Sequence, residues 1–339
     1  MPSKDSIKNS TLVYVGDFNS DINVVSFFLF IKIKSFIKKR VVQTKKSSYV
    51  IETLLGEGGY GSVYCVLNTK NNCRYAMKVE KKNPKKKSLK LKMEVKVLKD
   101  LESVNFSHSH FLKMYDRCKK KDYYLIVMDL VGKNLLDLRN RSLQKIFSDS
   151  TNFKVSIQCL EALEDLHKIN YIHRDIKPAN FAIGREQKNE IIYILDFGLA
   201  RYILNQKGEL KTPREKCKFK GTIRYAPLAT HKGLDNGRKD DIEAWVYMFA
   251  ESLLPFGLYW GRTKSINDVC EMKIRSRKEK KYLFPNDNCQ KFNQFLIYLD
   301  TLTYADKVDY NYFYETIKEE AKNNNVDLTQ PYDWNKQSY

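Results

Sequence analysis

The chain has 339 residues, 42% of them hydrophobic, and carries a formal net charge of +20. The length suits a molecule of two lobes, and this hydrophobic content is ample for a globular interior, which excludes a largely disordered protein. The seven cysteines are scattered without a C-x-x-C pair, so neither a zinc site nor a disulfide framework is predicted. We therefore expect reduced thiols and a cytoplasmic or nuclear protein.

The first 45 residues differ from the rest of the chain. Residues 24–31 are apolar, and basic residues follow up to position 40. The apolar run has neither the basic region nor the cleavage site of a signal peptide, and it is shorter than the about 20 residues that span a bilayer. We expect an extension that packs on the small lobe or reflects a spurious start. A membrane contact through residues 24–40 is the alternative.

The next part of the chain has the pattern of β-strands. The strands are predicted at Tyr49–Ile51, Ser62–Leu67, Arg74–Glu80 and Tyr123–Asp129. A glycine pattern, G-x-G-x-x-G-x-V, includes Gly56, Gly58, Gly61 and Val63. A Rossmann loop of similar pattern opens a helix, whereas a strand-like run follows here, which predicts a hairpin over a nucleotide. Glycines there let backbone N–H groups approach phosphate oxygens.

A lysine and a carboxylate follow the glycine pattern. Lys78 lies in a predicted strand two residues after Ala76, where it could meet the α- and β-phosphates of a nucleotide. The segment from Leu89 to Leu101 has apolar residues at helical spacing and carries Glu94. Glu94 is the candidate partner that would hold Lys78 in place. The alternative is that Glu94 is one more solvated charge on a very basic helix.

Residues 173–180 read H-R-D-I-K-P-A-N, and a D-F-G triplet begins sixteen residues later. Each polar residue suits phosphoryl transfer: Asp175 could accept the proton of a hydroxyl, and Asn180 and Asp196 could hold Mg²⁺ against phosphates. Lys177 would lie beside the γ-phosphate and neutralise charge as the bond to the leaving group breaks. The position of Lys177, two residues after Asp175, favours serine and threonine hydroxyls as acceptors.

Two long helices are predicted in the second half, at Ser148–Asn170 and Asp240–Ser252. Their apolar residues recur at helical spacing and are interpreted as ordinary core: Ile157, Leu160, Leu163, Leu166, Ile242, Trp245, Val246 and Phe249. Asp241 lies near the start of the second helix, where a capping role is expected. The chain thus has strands first and helices second, which predicts the α+β class.

With these motifs in this order, the chain resembles a protein kinase of the casein kinase 1 superfamily, most of all its tau-tubulin kinase branch. The resemblance covers residue 46 to the C-terminus, and the similar stretches are residues 180–184, 193–201, 220–226, 237–241 and 331–334. Leu228 replaces the glutamate of the usual A-P-E motif, as in that superfamily. Pro227 and Ala229 depart from the Ser-x-Asn that is usual in that superfamily. This departure affects the expected shape of the substrate-facing surface rather than the catalytic chemistry.

The resemblance implies a two-lobed protein kinase fold of the α+β class. Residues 46–131 would form a small antiparallel β-rich N-lobe with one main helix, and residues 132–339 a larger, mainly helical C-lobe. Residues 1–45 would precede both lobes as an extension.

The resemblance also implies ATP and Mg²⁺ as cofactors and assigns the adenine site. Met128 would guard the adenine pocket, while the C=O of Asp129 and the N–H of Val131 would bond the adenine edge. The remaining implied nucleotide-binding positions are Gly56, Gly58, Gly61, Val63, Ala76, Lys78 and Asp196.

Two further roles come from the resemblance. Thr222 would hydrogen-bond Asp175 and Lys177, and Asp241 would hold the catalytic loop in addition to capping its helix. The implied reaction is transfer of the γ-phosphate of ATP to serine and threonine hydroxyls of proteins. The alternative is a catalytically weak kinase fold that serves as a scaffold or binding module, but Lys78, Asp175 and Asp196 are all present.

The basic charge predicts anionic partners. The resemblance implies that Arg224, assisted by Lys264, binds an anion near the substrate cleft, so acidic or pre-phosphorylated protein substrates are expected. The alternative is that Arg224 only ties the activation segment to the large lobe. Microtubule-associated substrates rest on family analogy alone. No nucleic-acid motif is present, so specific nucleic-acid binding is not expected, and we expect a monomer.

Overall fold

The computed structural model describes residues 41–58, 61–83, 90–104, 106, 109–142, 145–285 and 291–336. The predicted membrane contact through residues 24–40 lies outside this part of the chain, as does most of the predicted extension. Among the described residues, no helix is both long enough and apolar enough to cross a bilayer.

The first lobe is a six-stranded antiparallel sheet with one long helix, α1 (Lys90–Glu102). The strands are β1 (Val41–Gln43), β2 (Ser48–Gly58), β3 (Gly61–Asn68), β4 (Arg74–Lys81), β5 (Met114–Lys119) and β6 (Tyr123–Met128), in the order β1-β2-β3-β4-β6-β5. The sheet thus begins at Val41, ahead of the lobe boundary predicted at residue 46. Side chains alternate between faces: Leu125 and Val127 join one cluster, Ile126 and Met128 another.

The glycine pattern forms the predicted hairpin. Strands β2 and β3 are paired up to their tip, where Gly58 lies opposite Gly61. Gly61 has a φ of +114°, and a Cβ on it would lie 2.1 Å from the carbonyl oxygen of Val79 on β4. Only glycine fits there, because the side chain of any other residue would collide with the neighbouring strand.

The second lobe is mainly helical. Its helices are α2 (Leu135–Arg141), α3 (Asp149–Lys168), α4 (Leu228–His231), α5 (Arg238–Leu253), α6 (Ile266–Lys278), α7 (Asn293–Thr301), α8 (Tyr310–Asn323) and α9 (Asp333–Lys336). Four short strands form two antiparallel pairs, β7 (Tyr171–Ile172) with β10 (Arg201–Tyr202) and β8 (Phe181–Ile183) with β9 (Ile192–Ile194). The α+β architecture is the predicted one.

Helix α5 is the centre of the second lobe, and all four of its predicted core residues are buried. Its Trp245 packs against the rings of Phe249, Phe295 and Phe313. On α3 the prediction was less accurate, because Ile157 is only half-buried while Phe153 is buried. These differences arise because α3 is covered on more than one face, so one apolar stripe does not define its contacts.

The start of α5 corrects a second prediction. The helix begins at Arg238, and Asp240 accepts the backbone N–H of Gly237 at 2.7 Å. Asp240, rather than Asp241, therefore caps the helix. The Asp241 carboxylate points instead to the loop that carries Asp175, as described below.

Candidate active site

A cleft of about 620 Å³ lies between the sheet and the helical lobe. Every residue predicted to bind the nucleotide lines it: Gly56, Gly58, Gly61, Val63, Ala76, Lys78, Met128, Asp129, Val131 and Asp196. The sequence therefore identified the residues that share one cavity, although they come from four separate parts of the chain.

The segment between the lobes is held by side-chain contacts. The Asp129 carboxylate accepts the backbone N–H of Lys113 at 2.7 Å and the hydroxyl of Tyr115 at 2.8 Å. Within the described residues, the C=O of Asp129 and the N–H of Val131 have no backbone partner. A fixed segment with an acceptor and a donor available at the cleft suits recognition of a planar heterocycle edge.

Sequence reasoning missed the apolar residues that complete the cleft, among them Leu55, Ala182 and Ile194. The available signal was their closeness in the chain to predicted site residues, because Asn180 comes directly before β8 and Asp196 follows β9. Ala182 is two residues after Asn180, and Ile194 is two before Asp196. Both polar residues line the same cleft.

The centre of the cleft holds a buried triad of charges. The Lys78 ammonium lies 2.6 Å from the Glu94 carboxylate and 3.0 Å from that of Asp196. Burial alone would lower the pKa of Lys78, but the two carboxylates outweigh it and raise that pKa above its ordinary value. Burial likewise opposes ionisation of Asp196, yet Lys78 keeps the Asp196 pKa below its usual range. The lysine is thus a fixed cation at the inner end of the cleft.

Helix α1, which carries Glu94, is fixed by a residue from the sheet. The Glu80 carboxylate on β4 accepts the backbone N–H of Leu91 at 2.7 Å and that of Lys90 at 3.3 Å. These are first-turn N–H groups, which have no partner inside their own helix. The strand of Lys78 therefore also anchors the helix of Glu94, a long-range contact that residue spacing did not indicate.

The predicted catalytic residues form a second polar cluster. Lys177 donates to the Asp175 carboxylate at 2.9 Å and to the Thr222 hydroxyl at 3.1 Å. Thr222 in turn donates to the other oxygen of Asp175 at 2.8 Å. The Asn180 side chain donates to the backbone carbonyl of Asp175 at 2.7 Å. The structure thus brings together all four residues, with the Asp175 carboxylate oriented by a lysine and a hydroxyl.

Asp241 hydrogen-bonds the backbone of the loop that carries Asp175. Its carboxylate accepts the N–H of His173 at 2.6 Å and that of Arg174 at 2.8 Å, and it lies 2.9 Å from the His167 ring. Burial would raise the pKa of Asp241, but His167 outweighs it and keeps the pKa below its ordinary value. Arg174 has a φ of +67°, a strained conformation that these bonds stabilise.

The activation segment, residues 196–228, is tied down by a buried carboxylate. Asp235 accepts hydrogen bonds from Arg201 on β10 and from Arg214 in the segment, the latter at 2.7 and 3.1 Å. Burial would raise the pKa of Asp235, but the arginines outweigh it and hold that pKa well below its usual range. Nothing in the sequence pattern indicated this pairing.

At the end of the activation segment, a carboxylate from another element takes the place of the missing A-P-E glutamate. Glu243 on α5 accepts the backbone N–H of Leu228 at 2.8 Å and pairs with Arg277 of α6 at 2.9 Å. It also accepts the Tyr247 hydroxyl at 2.7 Å. A buried carboxylate from the central helix thus anchors the segment at the position where Leu228 replaces the glutamate.

The two predicted anion-site residues have different surroundings. Arg224 pairs with Glu251 at 3.0 Å and donates to the carbonyl oxygen of Gly261 at 2.6 Å. Lys264 is exposed, and no contact joins it to Arg224 within the described residues. Arg224 therefore makes the structural contacts of the alternative interpretation, and its role toward an anion stays a prediction.

Comparison with known families shows to which family the chain belongs. The model of the protein kinase domain matches residues 49–305, more than half of the chain. The chain belongs to the protein kinase family. The predicted two-lobed fold, with a curled antiparallel sheet and a helical lobe, is thereby confirmed.

Curated relatives agree with this assignment. A Dictyostelium discoideum protein named "Probable serine/threonine-protein kinase" is 34% identical over 301 residues, 86% of this kinase and 57% of that protein. Serine/threonine-protein kinase spe-6 of Caenorhabditis elegans is 32% identical over 285 residues, 82% and 73% of the two chains. A further Caenorhabditis elegans protein, named as a candidate casein kinase I, is 33% identical over 225 residues, which are 66% of this chain and 64% of that protein. This kinase thus spans little more than half the length of the Dictyostelium relative.

Proposed function

We propose that this kinase transfers the γ-phosphate of ATP, with Mg²⁺, to serine and threonine hydroxyls of proteins. The observation that carries the proposal is the pair of polar clusters, Lys78 with Glu94 and Asp196, and Asp175 with Lys177 and Thr222. Phosphoryl transfer depends on positioning and on electrostatic stabilisation, and both clusters present ordered charges of the required sign.

Each cluster has a separate task in this reaction. The Lys78 ammonium, held by Glu94, binds oxygens of the α- and β-phosphates and orients them. Asp175 accepts the proton of the substrate hydroxyl as the hydroxyl attacks. Lys177 lies 2.9 Å from Asp175, so its charge can stabilise the transferred group beside the same hydroxyl.

The residues present fit a magnesium ion. Asp196 and Asn180 both line the cleft and offer a carboxylate and an amide oxygen, and Mg²⁺ prefers such oxygen ligands, using one or two protein ligands beside phosphates. Among the described residues, no group of three or more His, Cys, Asp or Glu side chains could hold a metal, so the ion would depend on the nucleotide. When bound, Mg²⁺ supplies positive charge that neutralises the phosphate oxygens.

We further infer that the chain belongs to the casein kinase 1 superfamily, near the tau-tubulin kinase branch. The supporting features are Leu228 in place of the usual glutamate, the carboxylate that Glu243 supplies instead, and the relative named as a candidate casein kinase I. Acidic or pre-phosphorylated proteins are the proposed substrates, supported by the net charge of +20. Microtubule-associated proteins are one class to test.

The proposal is tested with purified protein, radiolabelled ATP, Mg²⁺ and a serine/threonine peptide array. Asp175→Asn removes the proton acceptor, and Lys78→Met removes the phosphate-binding cation. We expect each change to lower kcat by at least about 10²-fold, because proton transfer alone contributes this much. Thermal unfolding of both variants, followed by circular dichroism, should show that the fold is retained.

Lys322→Glu on the exposed face of α8 is the control for a change of surface charge, and it should retain normal activity. Near-normal activity of a folded Asp175→Asn variant would refute the assigned role. Absence of phosphoryl transfer by the wild-type protein on the whole array would favour the alternative, a kinase fold that acts as a scaffold.

A further inference from the structure

A buried cation of the second lobe lies outside both polar clusters of the active site. Lys273, on helix α6, is 0% exposed. Among the described residues it forms no ion pair, and Glu243, whose charge acts on it, is paired instead with Arg277 at 2.9 Å. Burying an ammonium group without a carboxylate partner costs free energy. The groups around Lys273 show what its charge holds in place.

Three acceptors surround the Lys273 ammonium. It donates to the carbonyl oxygens of Ala226 at 2.6 Å and Ile223 at 3.0 Å, and to Nε2 of His231 at 3.2 Å. The His231 ring can accept there because its other nitrogen, Nδ1, lies 3.0 Å from the carbonyl oxygen of Ile266 and carries the proton. An ammonium group has three N–H donors, so all three are used.

Two aromatic rings also contact Lys273. Its Nζ lies 4.7 Å from the centre of the Tyr247 ring and 5.6 Å from that of the Trp260 ring. A ring attracts a cation at such distances. The indole N–H of Trp260 donates to the carbonyl oxygen of Arg224 at 2.8 Å. Three of the four carbonyl groups in residues 223–226 are therefore bonded by Lys273 or by a ring that it contacts.

Residues 222–226 form a turn that leads to Asp175. The carbonyl oxygen of Thr222 accepts the N–H groups of Tyr225 at 3.0 Å and Ala226 at 2.9 Å. The hydroxyl of the same Thr222 donates to the Asp175 carboxylate at 2.8 Å. One end of the turn thus orients Asp175, and the other end is bonded to Lys273 through Ala226.

We propose that Lys273 is a positioning residue for phosphoryl transfer, whose charged ammonium holds the turn of residues 222–226 and thereby keeps Thr222 bonded to Asp175. The inference rests on the proposed function, because it adds a residue that acts through Thr222. Since Lys273 is fully buried, it acts through the backbone that it bonds and not by contact with a substrate.

The charge state of Lys273 decides how many of these bonds form. A neutral amine has two N–H donors and a lone pair, so it leaves one of the three acceptors unbonded. Burial lowers the pKa of Lys273 to about 7, while Glu243 opposes this shift and Arg277 adds to it. The turn is therefore held most firmly when Lys273 is protonated, and less firmly as the pH rises through about 7.

The remaining titratable side chains around Lys273 are His231, Tyr247 and Cys270. Burial, together with the charge of Lys273, lowers the pKa of His231 to about 4, and burial raises that of Tyr247 well above its ordinary value. Both side chains therefore stay neutral between pH 6 and pH 8. Farther along α5, burial raises the pKa of Asp240 to about 7, so Asp240 and Cys270 are the groups that a test must separate from Lys273.

Hydrogen–deuterium exchange of the full-length chain tests the proposal without requiring catalysis. Peptides that contain Tyr225 and Ala226 report on the two N–H groups bonded to Thr222. After correction for the intrinsic effect of pH, we expect their exchange to be at least about threefold faster at pH 8 than at pH 6. Lys273→Met should exchange fast at both pH values, whereas Lys273→Arg, whose guanidinium stays charged, should exchange slowly at both.

Steady-state kinetics with a neutral, histidine-free serine peptide measure the effect on the reaction. Lys273→Met should raise KM for the peptide at least about threefold and lower kcat. The KM for ATP should stay unchanged, because no residue of the turn lines the nucleotide cleft. The KM of the wild type for the peptide should rise from pH 6 to pH 8, and this rise should persist in Asp240→Asn and Cys270→Ser but be absent from Lys273→Arg.

Lys278→Met, which removes an exposed cation from the same helix, is the matched control and should behave as the wild type. A folded Lys273→Met variant with unchanged exchange and unchanged KM would overturn the proposal. Exchange that rises equally in helix α8 would also overturn it, because the lysine would then stabilise the lobe as a whole.

If Lys273→Met did not fold, the wild type and Lys273→Arg would decide the question, since wild-type exchange without the step between pH 6 and pH 8 would refute the role of the charge. If the wild-type chain transferred no phosphate, the proposed reaction would fail, while the exchange measurements would still show whether Lys273 holds the turn.

Discussion

At the scale of single residues, the buried carboxyl group of Asp240 is only partly hydrogen-bonded. One of its carboxylate oxygens accepts the N–H of Gly237, while the other is buried with no partner among the described residues. Burial, reinforced by the neighbouring Glu243, raises the pKa of Asp240 to about 7. The hydrogen bond from Gly237 favours the ionised carboxylate, but burial and Glu243 outweigh it and favour the protonated form.

This pKa makes a pH-dependent prediction about stability. A raised folded-state pKa contributes stability that is fully present below the unfolded value, near 4, and is lost as the pH rises through about 7. Asp240→Asn keeps an acceptor for Gly237 without ionising. The free energy of unfolding of the variant should therefore exceed that of the wild type by more at pH 8 than at pH 5. The excess should grow by on the order of 2 kcal/mol between the two pH values. Urea unfolding at both pH values measures the difference.

Asp122→Asn, a change at an exposed loop position, is the control for losing one acidic group. Its free energy of unfolding should differ from that of the wild type by the same small amount at pH 5 and pH 8. If Asp240→Asn behaved in the same way, the carboxyl of Asp240 would not be protonated in the folded protein at pH 5.

At the scale of elements, the activation segment is ordered by a carboxylate of the protein itself. Asp235 pairs with Arg201 and Arg214, and its side chain is 1% exposed. Arg174 is next to Asp175, the proposed proton acceptor. Burial and the nearby Arg214 and Arg201 lower the pKa of Arg174 to about 10, while the charge of Asp235 acts in the opposite direction. Since a fixed negative charge already lies among these arginines, an added phosphate is not needed to gather them.

We therefore predict that phosphatase-treated enzyme keeps its activity. Asp235→Asn should lower kcat/KM about tenfold or more, because it leaves the half-buried Arg201 and the exposed Arg214 without their partner and releases the segment that carries Thr222. Asp235→Glu should recover part of the activity by restoring the charge. Steady-state assays of treated and untreated protein, with both variants in parallel, measure these effects.

A loss of activity on phosphatase treatment that an upstream kinase restores would contradict this prediction. So would an Asp235→Asn variant that folds and retains full activity, because the arginines would then not need the carboxylate. Asp122→Asn again serves as the control for one lost negative charge.

The elements that the sequence predicted well are those with a strong local pattern. Helix α5 extends only two residues earlier and one later than predicted, and α3 is shorter by one or two residues at each end. The hairpin of β2 and β3 was indicated by its glycine pattern, in which Gly61 has a φ that other residues rarely adopt. Short-range periodicity and backbone freedom can be read from neighbouring residues alone.

The contacts that sequence reasoning missed all join residues far apart in the chain. Glu80 caps α1 from another element, Asp235 pairs with two arginines of the activation segment, and Glu243 replaces a carboxylate that the motif lacks. Each is an ordinary acidic residue with no distinguishing neighbour in the sequence. Their roles come from tertiary packing, which spacing alone does not determine.

At the scale of the whole molecule, the net charge of +20 bears on substrate choice. A strongly positive protein attracts anionic peptides at long range, and salt screens this attraction. Local recognition would need cations near Asp175, for which Arg224 and Lys264 are the predicted residues. The side chain of Arg224 is 39% exposed while it pairs with Glu251, so one face of its guanidinium can still meet a substrate.

The prediction is that acidic peptides have a lower KM than neutral ones and that the difference shrinks as salt is added. Lys264→Ala should raise KM for acidic peptides severalfold and leave neutral peptides unchanged, because Lys264 is exposed and removing its charge disturbs no contact with Arg224. Arg224→Ala should also raise KM more for acidic peptides, but it additionally breaks the pair with Glu251. Steady-state kinetics on two peptides that differ only in their flanking charges, at low and high salt, separate the two effects.

Lys322→Glu on the outer face of α8 tests whether the preference is local or a property of the total charge. A local site predicts that this distant change leaves the ratio of the two KM values intact, whereas Lys264→Ala reduces it. If both changes lowered the ratio equally, long-range attraction alone would explain the preference. If Arg224→Ala impaired both peptides equally at every salt concentration, Arg224 would serve only to tie the activation segment to α5, because a scaffold contact has no dependence on the charge of the substrate.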